Sequence, residues 1–88
     1  METTPQLTRG QQVMSVSFNP GQREDVAAIK QIFADAFDEI DKWVSAKLGP
    51  EYKPGIYNAE HADVHRLAAT AKTNLETAQM YAVKAVTR

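Results

Sequence analysis

The chain has 88 residues, 24% of them charged, with a formal net charge of −1 and no cysteine. This length allows one domain at most, the near-neutral charge argues against sequence-independent binding to a polymeric nucleic acid, and the missing cysteine rules out disulfides and thiolate metal sites. No stretch approaches the ~20 apolar residues of a membrane span and no signal peptide is visible, so we expect a soluble intracellular protein that makes no membrane contact.

The segment before the first strong break supports two interpretations. Thr8 is a suitable N-cap for a short helix that reaches Met14, although Gly10 lowers the helix propensity. The apolar residues from Val13 to Phe18 are also compatible with an extended segment that lies on the helices. We expect a short helical turn followed by extended chain.

An Asn-Pro-Gly motif at 19–21 precedes the first long helix. Asn19 can cap a helix and proline suits the first helical position, so we expect this helix to run from Pro20 or Gln22 to Leu48. Acidic residues in its first turn suit the positive end of the helix dipole.

The apolar residues of this helix cover nearly half of its circumference, which is more than a two-helix hairpin needs. They are Val26, Phe33, Phe37, Ile40, Val44 and Leu48, with Ile29, Ile32, Ala36 and Trp43 widening the face to one side. We interpret the excess, above all Ile32 and Trp43, as a second contact surface of the kind through which small chains self-associate.

A second long helix follows the Gly-Pro break at 49–50 and the loop at 51–57. Asn58 is a suitable N-cap, and the helix should run from Ala59 to about Val86. Its heptad seam consists of Val64, Ala68, Ala71, Leu75, Ala78, Ala82 and Ala85. The small side chains of this seam predict a close antiparallel hairpin. The predicted fold class is therefore all-α, with an N-terminal arm over residues 1–17 and a helical hairpin domain over 18–88.

Phe18 and two nearby cations form one candidate site. Phe18 could stack on a nucleic-acid base, or it could pack on the first helical turn as a hydrophobic staple. The N-terminus of the first helix suits a phosphate, and Arg23 and Lys30 lie one heptad apart beside the apolar face. Lys30 could reach a phosphate, or it could snorkel from a packed stem into water.

The second helix carries further candidates. His61 and His65 have the spacing of two metal ligands on one helical face, but no motif completes a site, and a solvated first turn is the better interpretation. We expect no metal, no cofactor and no catalytic constellation. Arg66 begins a polar strip, which is either a solvated face or the lining of a pocket for an anionic ligand.

Two stretches resemble a known family. The stretch from Arg66 to Val86, above all AKTNLETA at 71–78, resembles the C-terminal helix of a phage-encoded hairpin domain found in the anti-CBASS cyclic-oligonucleotide sponges and the related anti-Thoeris sponges. The stretch from Phe18 to Lys30 resembles the start of the anti-CBASS member. The anti-Thoeris proteins carry an additional N-terminal sheet region, for which this chain has no room, so the anti-CBASS branch is the better match.

The resemblance implies a homo-oligomer, in that family a hexamer, in the cytoplasm of an infected bacterium. It would capture cyclic di- and trinucleotides of bacterial CBASS defence between protomers without cleaving them. In the family an aromatic residue ahead of the first helix stacks on a base, and Phe18 matches it. A lysine of the first helix meets phosphate, but Phe33 falls at that position here, and Lys30 lies one turn earlier. An arginine that contacts the trinucleotide matches Arg66.

We therefore expect a sponge, and not an enzyme. Its expected ligand-binding residues are Phe18, Asn19, Gly21, Arg23, Lys30 and Arg66. One alternative is a helical protein–protein interaction module without nucleotide affinity. Another is a metal-dependent phosphodiesterase that uses His61 and His65.

Overall fold

The computed structural model of the chain describes residues 6–49 and 58–88. These residues form three α-helices and no strand: α1 (Arg9–Val13), α2 (Glu24–Leu48) and α3 (Ala59–Val86). The all-helical expectation is confirmed, whereas the predicted loop at 51–57 lies outside the described residues. None of the helices in the described part of the chain combines the length and the hydrophobicity of a membrane span.

α2 and α3 form an antiparallel pair that polar contacts join at both ends and in the middle. The contacts are a hydrogen bond of 2.9 Å from Arg23 Nη2 to the Val86 carbonyl, an ion pair of Lys72 with Asp41, and an ion pair of 3.3 Å between Lys47 and Glu60. Because the start of each long helix meets the end of the other, the predicted hairpin is confirmed.

The limits of α3 agree with the prediction. Asn58 is its N-cap, and the Asn58 side-chain oxygen accepts a hydrogen bond of 3.1 Å from the His61 amide. α2 ends at Leu48 as expected, because Gly49 adopts a φ of 76°, a left-handed value that glycine reaches without steric cost.

The predicted start of α2 is wrong. The helix begins at Glu24, because Gln22 adopts a φ of 49° and this left-handed residue interrupts any helix that starts at Pro20. Asn19 is not the N-cap. Its side-chain oxygen accepts from the Arg23 amide and its side-chain nitrogen donates to the Arg23 carbonyl, so Asn19 closes the turn that leads into the helix.

α1 forms as its capping residue Thr8 predicts, but the chain that follows it does not adopt an extended conformation. The Thr8 hydroxyl accepts from the Gln11 amide, and the Gln11 side chain accepts from the Thr8 amide, which completes a capping box. Ser15 then adopts a φ of 54°, and residues 14–17 form turns. The expectation of an extended segment after α1 is therefore wrong.

α1 lies against α2 at Gly10, where no side chain would fit. The Gly10 amide donates a hydrogen bond of 2.8 Å to Asp38 Oδ1. A Cβ atom on Gly10 would overlap the Ala34 carbonyl oxygen and would lie 2.7 Å from Asp38 Oδ1. The glycine that weakens α1 on propensity grounds is thus the residue that allows the two helices to approach.

Met14, Ala34 and Phe37 form the buried core, and Val13, Val16, Phe33 and Leu75 pack around it. The buried face of α2 is rotated from the predicted one, away from Ile32 and Trp43 and towards Lys30 and Ala34. This rotation follows from α1 and its turn, which cover the Ala34 side of α2.

The alanine seam of α3 is only partly correct. Ala68 is buried, but Ala78 and Ala85 are exposed, while Gln79 and Val83 turn inward. The reason is the turn after α1: Gln79 Nε2 donates a hydrogen bond of 3.0 Å to the Met14 carbonyl, which directs this side of α3 towards the N-terminal segment.

The close approach at Gly10 predicts that Gly10→Ala destabilises the fold. Alanine raises helix propensity by ~1 kcal/mol, but its methyl group meets the backbone of α2, and overpacking of this kind typically costs ~1–3 kcal/mol. We expect a lower urea midpoint than in the wild type. Gly21→Ala is the matched control, since its Cβ would approach only the Arg23 side chain at 3.5 Å. A Gly10→Ala variant as stable as the wild type would contradict the close contact between Gly10 and the backbone of α2.

Candidate ligand-binding site

Phe18 is presented on the outside of the molecule by the turn that follows α1. Its amide donates a hydrogen bond of 2.9 Å to the Ser15 carbonyl, and the residue is 66% exposed. A hydrophobic staple would pack this ring on the first turn of α2, so that interpretation is wrong. The ring instead leaves a planar apolar surface exposed.

Lys30 lies directly beneath this turn. The residue is 8% exposed, and its Nζ donates a hydrogen bond of 3.1 Å to the Ser15 carbonyl and another to the Phe18 carbonyl. Nζ also lies 5.3 Å from the centroid of the Phe18 ring, within the range of a cation–π interaction. A snorkelling lysine would keep its ammonium in water, so the snorkelling interpretation does not describe Lys30.

Arg23 lies at the end of the turn closed by Asn19, immediately before α2. Its guanidinium makes two hydrogen bonds to Asp25, with the shorter N–O distance 2.6 Å. This pairing raises the pKa of Arg23 and lowers the pKa of Asp25. The same guanidinium reaches the Val86 carbonyl and so connects the candidate site to the end of α3.

Phe18, Asn19, Gly21, Arg23 and Lys30 thus lie together, and we call this group the Phe18 corner. At the first turn of α2, the Val26 amide donates a hydrogen bond of 2.8 Å to Asp25 Oδ1. An anion at this helix N-terminus would therefore share its position with the Asp25 carboxylate.

Arg66 lies apart from the Phe18 corner. It pairs with Asp63 at 3.1 Å on the exposed side of α3. α3 passes the turn after α1 at Gln79, which is thirteen residues further along the helix, or about 20 Å at ~1.5 Å per residue. Within one chain, Arg66 therefore lies about 20 Å along α3 from the residue that contacts the turn before Phe18.

The partners that hold the Phe18 corner in place are not evident from the sequence. Gln79 contributes from α3 by binding the Met14 carbonyl, and Ser15 contributes the carbonyl shared by Phe18 and Lys30. The sequence contains one signal for Gln79, because it follows the seam residue Leu75 by one helical turn.

A groove of about 470 Å³ opens between the second half of α2 and the first half of α3. Its ionisable lining residues are Arg9, Asp41, His65 and Lys72. Lys72 Nζ forms an ion pair with Asp41 and also lies 4.8 Å from the centroid of the Phe37 ring. Within the described residues, no group of three or more His, Cys, Asp or Glu side chains has an arrangement that could hold a metal ion.

Comparison with known proteins gives one match. The family model described as Acb2/Tad1, hairpin domain, covers residues 10–87, from α1 to the residue that caps α3. No curated protein and no solved structure matches the chain.

The pairing of Arg23 with Asp25 predicts a pH-dependent contribution to stability. The pKa of Asp25 is lower in the folded chain than in the unfolded chain, so the contribution is present above the ordinary aspartate pKa of about 4 and is lost as the pH falls through the lowered value. We expect Arg23→Gln to move the pKa of Asp25 upwards in an NMR titration of its carboxyl carbon.

We also expect Asp25→Asn to be less stable than the wild type at pH 7 and to lose this deficit in acid. Glu24→Gln is the matched control, since it removes an equal charge from the same turn but does not remove the partner of Arg23. An Asp25 pKa that is unchanged in Arg23→Gln would contradict the assigned cause.

Proposed function

The chain belongs to the Acb2/Tad1 hairpin family, the family of the anti-CBASS and anti-Thoeris sponges, and we propose that it sequesters cyclic di- and trinucleotides of bacterial CBASS defence. Proteins of this family are cyclic-nucleotide sponges and not enzymes, so the ligand would be held intact. The proposed setting is the cytoplasm of a bacterium infected by a phage. One observation within the matched residues 10–87 carries the proposal: the Phe18 ring is exposed and lies against the Lys30 ammonium.

In this proposal Phe18 stacks on a base of the ligand. Stacking of a base on an aromatic side chain contributes ~1–3 kcal/mol and tolerates different bases, because every base has a π-face. The exposure of the ring supports this role, since a ring already packed against the fold would have no face to offer.

The phosphates of the ligand would lie against the remaining residues of the Phe18 corner. Arg23 or Lys30 is the proposed phosphate contact, Asn19 a polar contact, and Gly21 leaves the backbone accessible beside them. Nearly half of the Arg23 side chain is exposed although it is paired with Asp25, so it can reach a ligand at the surface. A guanidinium is well suited to two parallel hydrogen bonds with a phosphate.

Arg66 would serve a separate pocket that takes cyclic trinucleotides. Its distance from the Phe18 corner along α3 supports two sites and not one. Because Arg66 lies on an exposed helix face, other protomers must supply the remaining walls of such a pocket.

The proposed sponge is a homo-oligomer, and in this family the expected form is a hexamer. Ile32 is 59% exposed and Trp43 66% exposed on one side of α2, and Leu67, Met80 and Tyr81 are exposed on α3. These large apolar side chains on both long helices would be buried in such an assembly. Pockets between protomers would bury the ligand from both sides, as tight capture requires.

Calorimetric titration of the purified protein tests the function directly. We expect saturable binding of a cyclic dinucleotide and, separately, of a cyclic trinucleotide, with each ligand recovered unchanged after the complex is heat-denatured. Cleaved ligand would indicate an enzyme, such as a phosphodiesterase using His61 and His65. Absence of binding to a broad panel of cyclic nucleotides would leave the helical interaction module as the explanation of the exposed apolar surface.

Phe18→Ala tests the stacking role. We expect at least tenfold weaker cyclic dinucleotide binding. The lost stacking energy of ~1–3 kcal/mol corresponds to a factor of roughly 5 to 160, and a tenfold loss requires ~1.4 kcal/mol. The oligomer mass should stay that of the wild type. The Phe18→Ala variant should still bind the cyclic trinucleotide. Arg66→Ala should bind the cyclic trinucleotide more weakly and keep its affinity for the cyclic dinucleotide.

Tyr81→Ala is the comparison variant for Phe18→Ala, provided that its oligomer mass equals that of the wild type, because Tyr81 also belongs to the exposed apolar surface of α3. Tyr81 is similarly exposed, at 62%, and lies beneath the Lys84 ammonium at 5.7 Å, but it is on α3 and outside the Phe18 corner. Unchanged dinucleotide affinity in Phe18→Ala would eliminate the stacking role.

A further inference from the structure

The turn that presents Phe18 is held by side chains from both long helices. Gln79 of α3 donates to the Met14 carbonyl, and Lys30 of α2 donates to the Ser15 and Phe18 carbonyls. Three carbonyl groups within five residues thus receive side-chain hydrogen bonds. The position of the Phe18 backbone therefore depends on these two side chains as well as on the turn itself.

The turn needs this support because its own backbone is not in a favoured conformation. Ser15 adopts a φ of 54°, and residues other than glycine rarely adopt such left-handed values. An unfavourable conformation of this kind persists only when the surrounding structure holds it in place. The Ser15 carbonyl is also the group that accepts from both the Phe18 amide and Lys30 Nζ.

The Lys30 ammonium is already committed within the fold. An ammonium group has three N–H donors, and two of them are used by the carbonyls of the turn. The residue is 8% exposed, so a phosphate could approach it only with local rearrangement. The Phe18 ring also lies close to the ammonium, with its centroid 5.3 Å from Nζ.

We propose that Lys30 is a positioning residue, which fixes the turn and the ring of Phe18 so that the ring presents its other face to a base, and that it does not bind phosphate itself. This inference rests on the proposed function, because it assigns the way in which the Phe18 corner is prepared for its ligand. Fixing the ring in advance reduces the conformational entropy that the protein loses on binding.

A positioning role and a phosphate contact predict different salt dependence. An exposed ion pair between lysine and phosphate is screened by salt, so its removal costs most affinity at low ionic strength. A buried ammonium that holds carbonyl groups is screened far less, so its removal costs about the same affinity at every ionic strength. The two roles also differ in the unliganded protein, where only the positioning role affects Phe18.

Lys30→Met tests this inference, because methionine keeps most of the stem and removes the ammonium. We expect cyclic dinucleotide affinity to fall about tenfold, by the same factor from low to high salt. We also expect the Phe18 ring and amide NMR signals of the unliganded protein to shift and broaden. Lys42→Met is the matched control, since Lys42 Nζ lies 5.5 Å from the centroid of the exposed Trp43 ring on the same helix and at a distance from the turn. Its oligomer mass is compared with that of the wild type, because Trp43 belongs to the exposed apolar surface of α2.

Lys30→Arg provides a second test should the methionine variant fail to fold. Arginine keeps the charge and binds phosphate at least as well as lysine, but its planar fork does not fit between two carbonyls in place of a compact ammonium. We expect weaker dinucleotide binding and altered Phe18 signals. Affinity that is kept or increased in Lys30→Arg would overturn the positioning role.

Two further outcomes would also overturn the inference. One is a loss of affinity in Lys30→Met that shrinks as salt is raised, and the other is unchanged Phe18 signals in the unliganded variant. A wild-type protein that binds no cyclic nucleotide would contradict the proposed function instead. The NMR comparison of unliganded proteins would still decide whether Lys30 holds the turn.

Discussion

The contact between Gly10 and the backbone of α2 is the constraint on which the rest of the structure depends. With no side chain at this position, α1 approaches α2 closely enough for its amide to reach Asp38. That approach brings Met14 into the core beside Ala34 and Phe37. The chain must then reverse direction within a few residues, which places Ser15 in a left-handed conformation and Phe18 on the surface. The candidate site is thus a consequence of how a five-residue helix packs.

Local sequence signals predicted the helices well where a single residue type determines a boundary. Asn58 marks the start of α3 because its side-chain oxygen accepts a hydrogen bond from a free amide of the first turn. Gly49 marks the end of α2 because glycine adopts a left-handed φ without steric cost. The start of α2 was mispredicted because Asn19 has the chemistry of an N-cap but uses it to close a turn, and the left-handed Gln22 has no sequence signature. The family resemblance was also visible in the sequence and is confirmed by the match over residues 10–87.

Burial was predicted less well, because periodicity describes one helix and burial depends on its neighbours. A hairpin of two helices would bury the alanine seam of α3 evenly along its length. The turn after α1 adds a third surface on one side, which draws Gln79 inward and leaves Ala78 exposed. For the same reason Lys30, which lies at the edge of the apolar face in the sequence, becomes a buried residue that binds carbonyl groups. The division into an N-terminal arm over residues 1–17 and a hairpin domain over 18–88 stays a prediction. Met14 and Val16, which belong to the predicted arm, contribute to the core.

The cations of the candidate sites share a property that limits how a ligand can bind. Arg23 is paired with Asp25, Arg66 with Asp63, and Lys30 with main-chain carbonyls. An anionic ligand therefore meets cations whose charge is already partly balanced, so each phosphate contact must replace or share an existing partner. Electrostatic attraction alone would then contribute little, and most of the affinity of the proposed sponge must come from stacking on a ring fixed in advance and from burial between protomers. The same balance disfavours long polyanions, which bind mainly through unpaired surface cations, and so favours small ligands with bases that can stack.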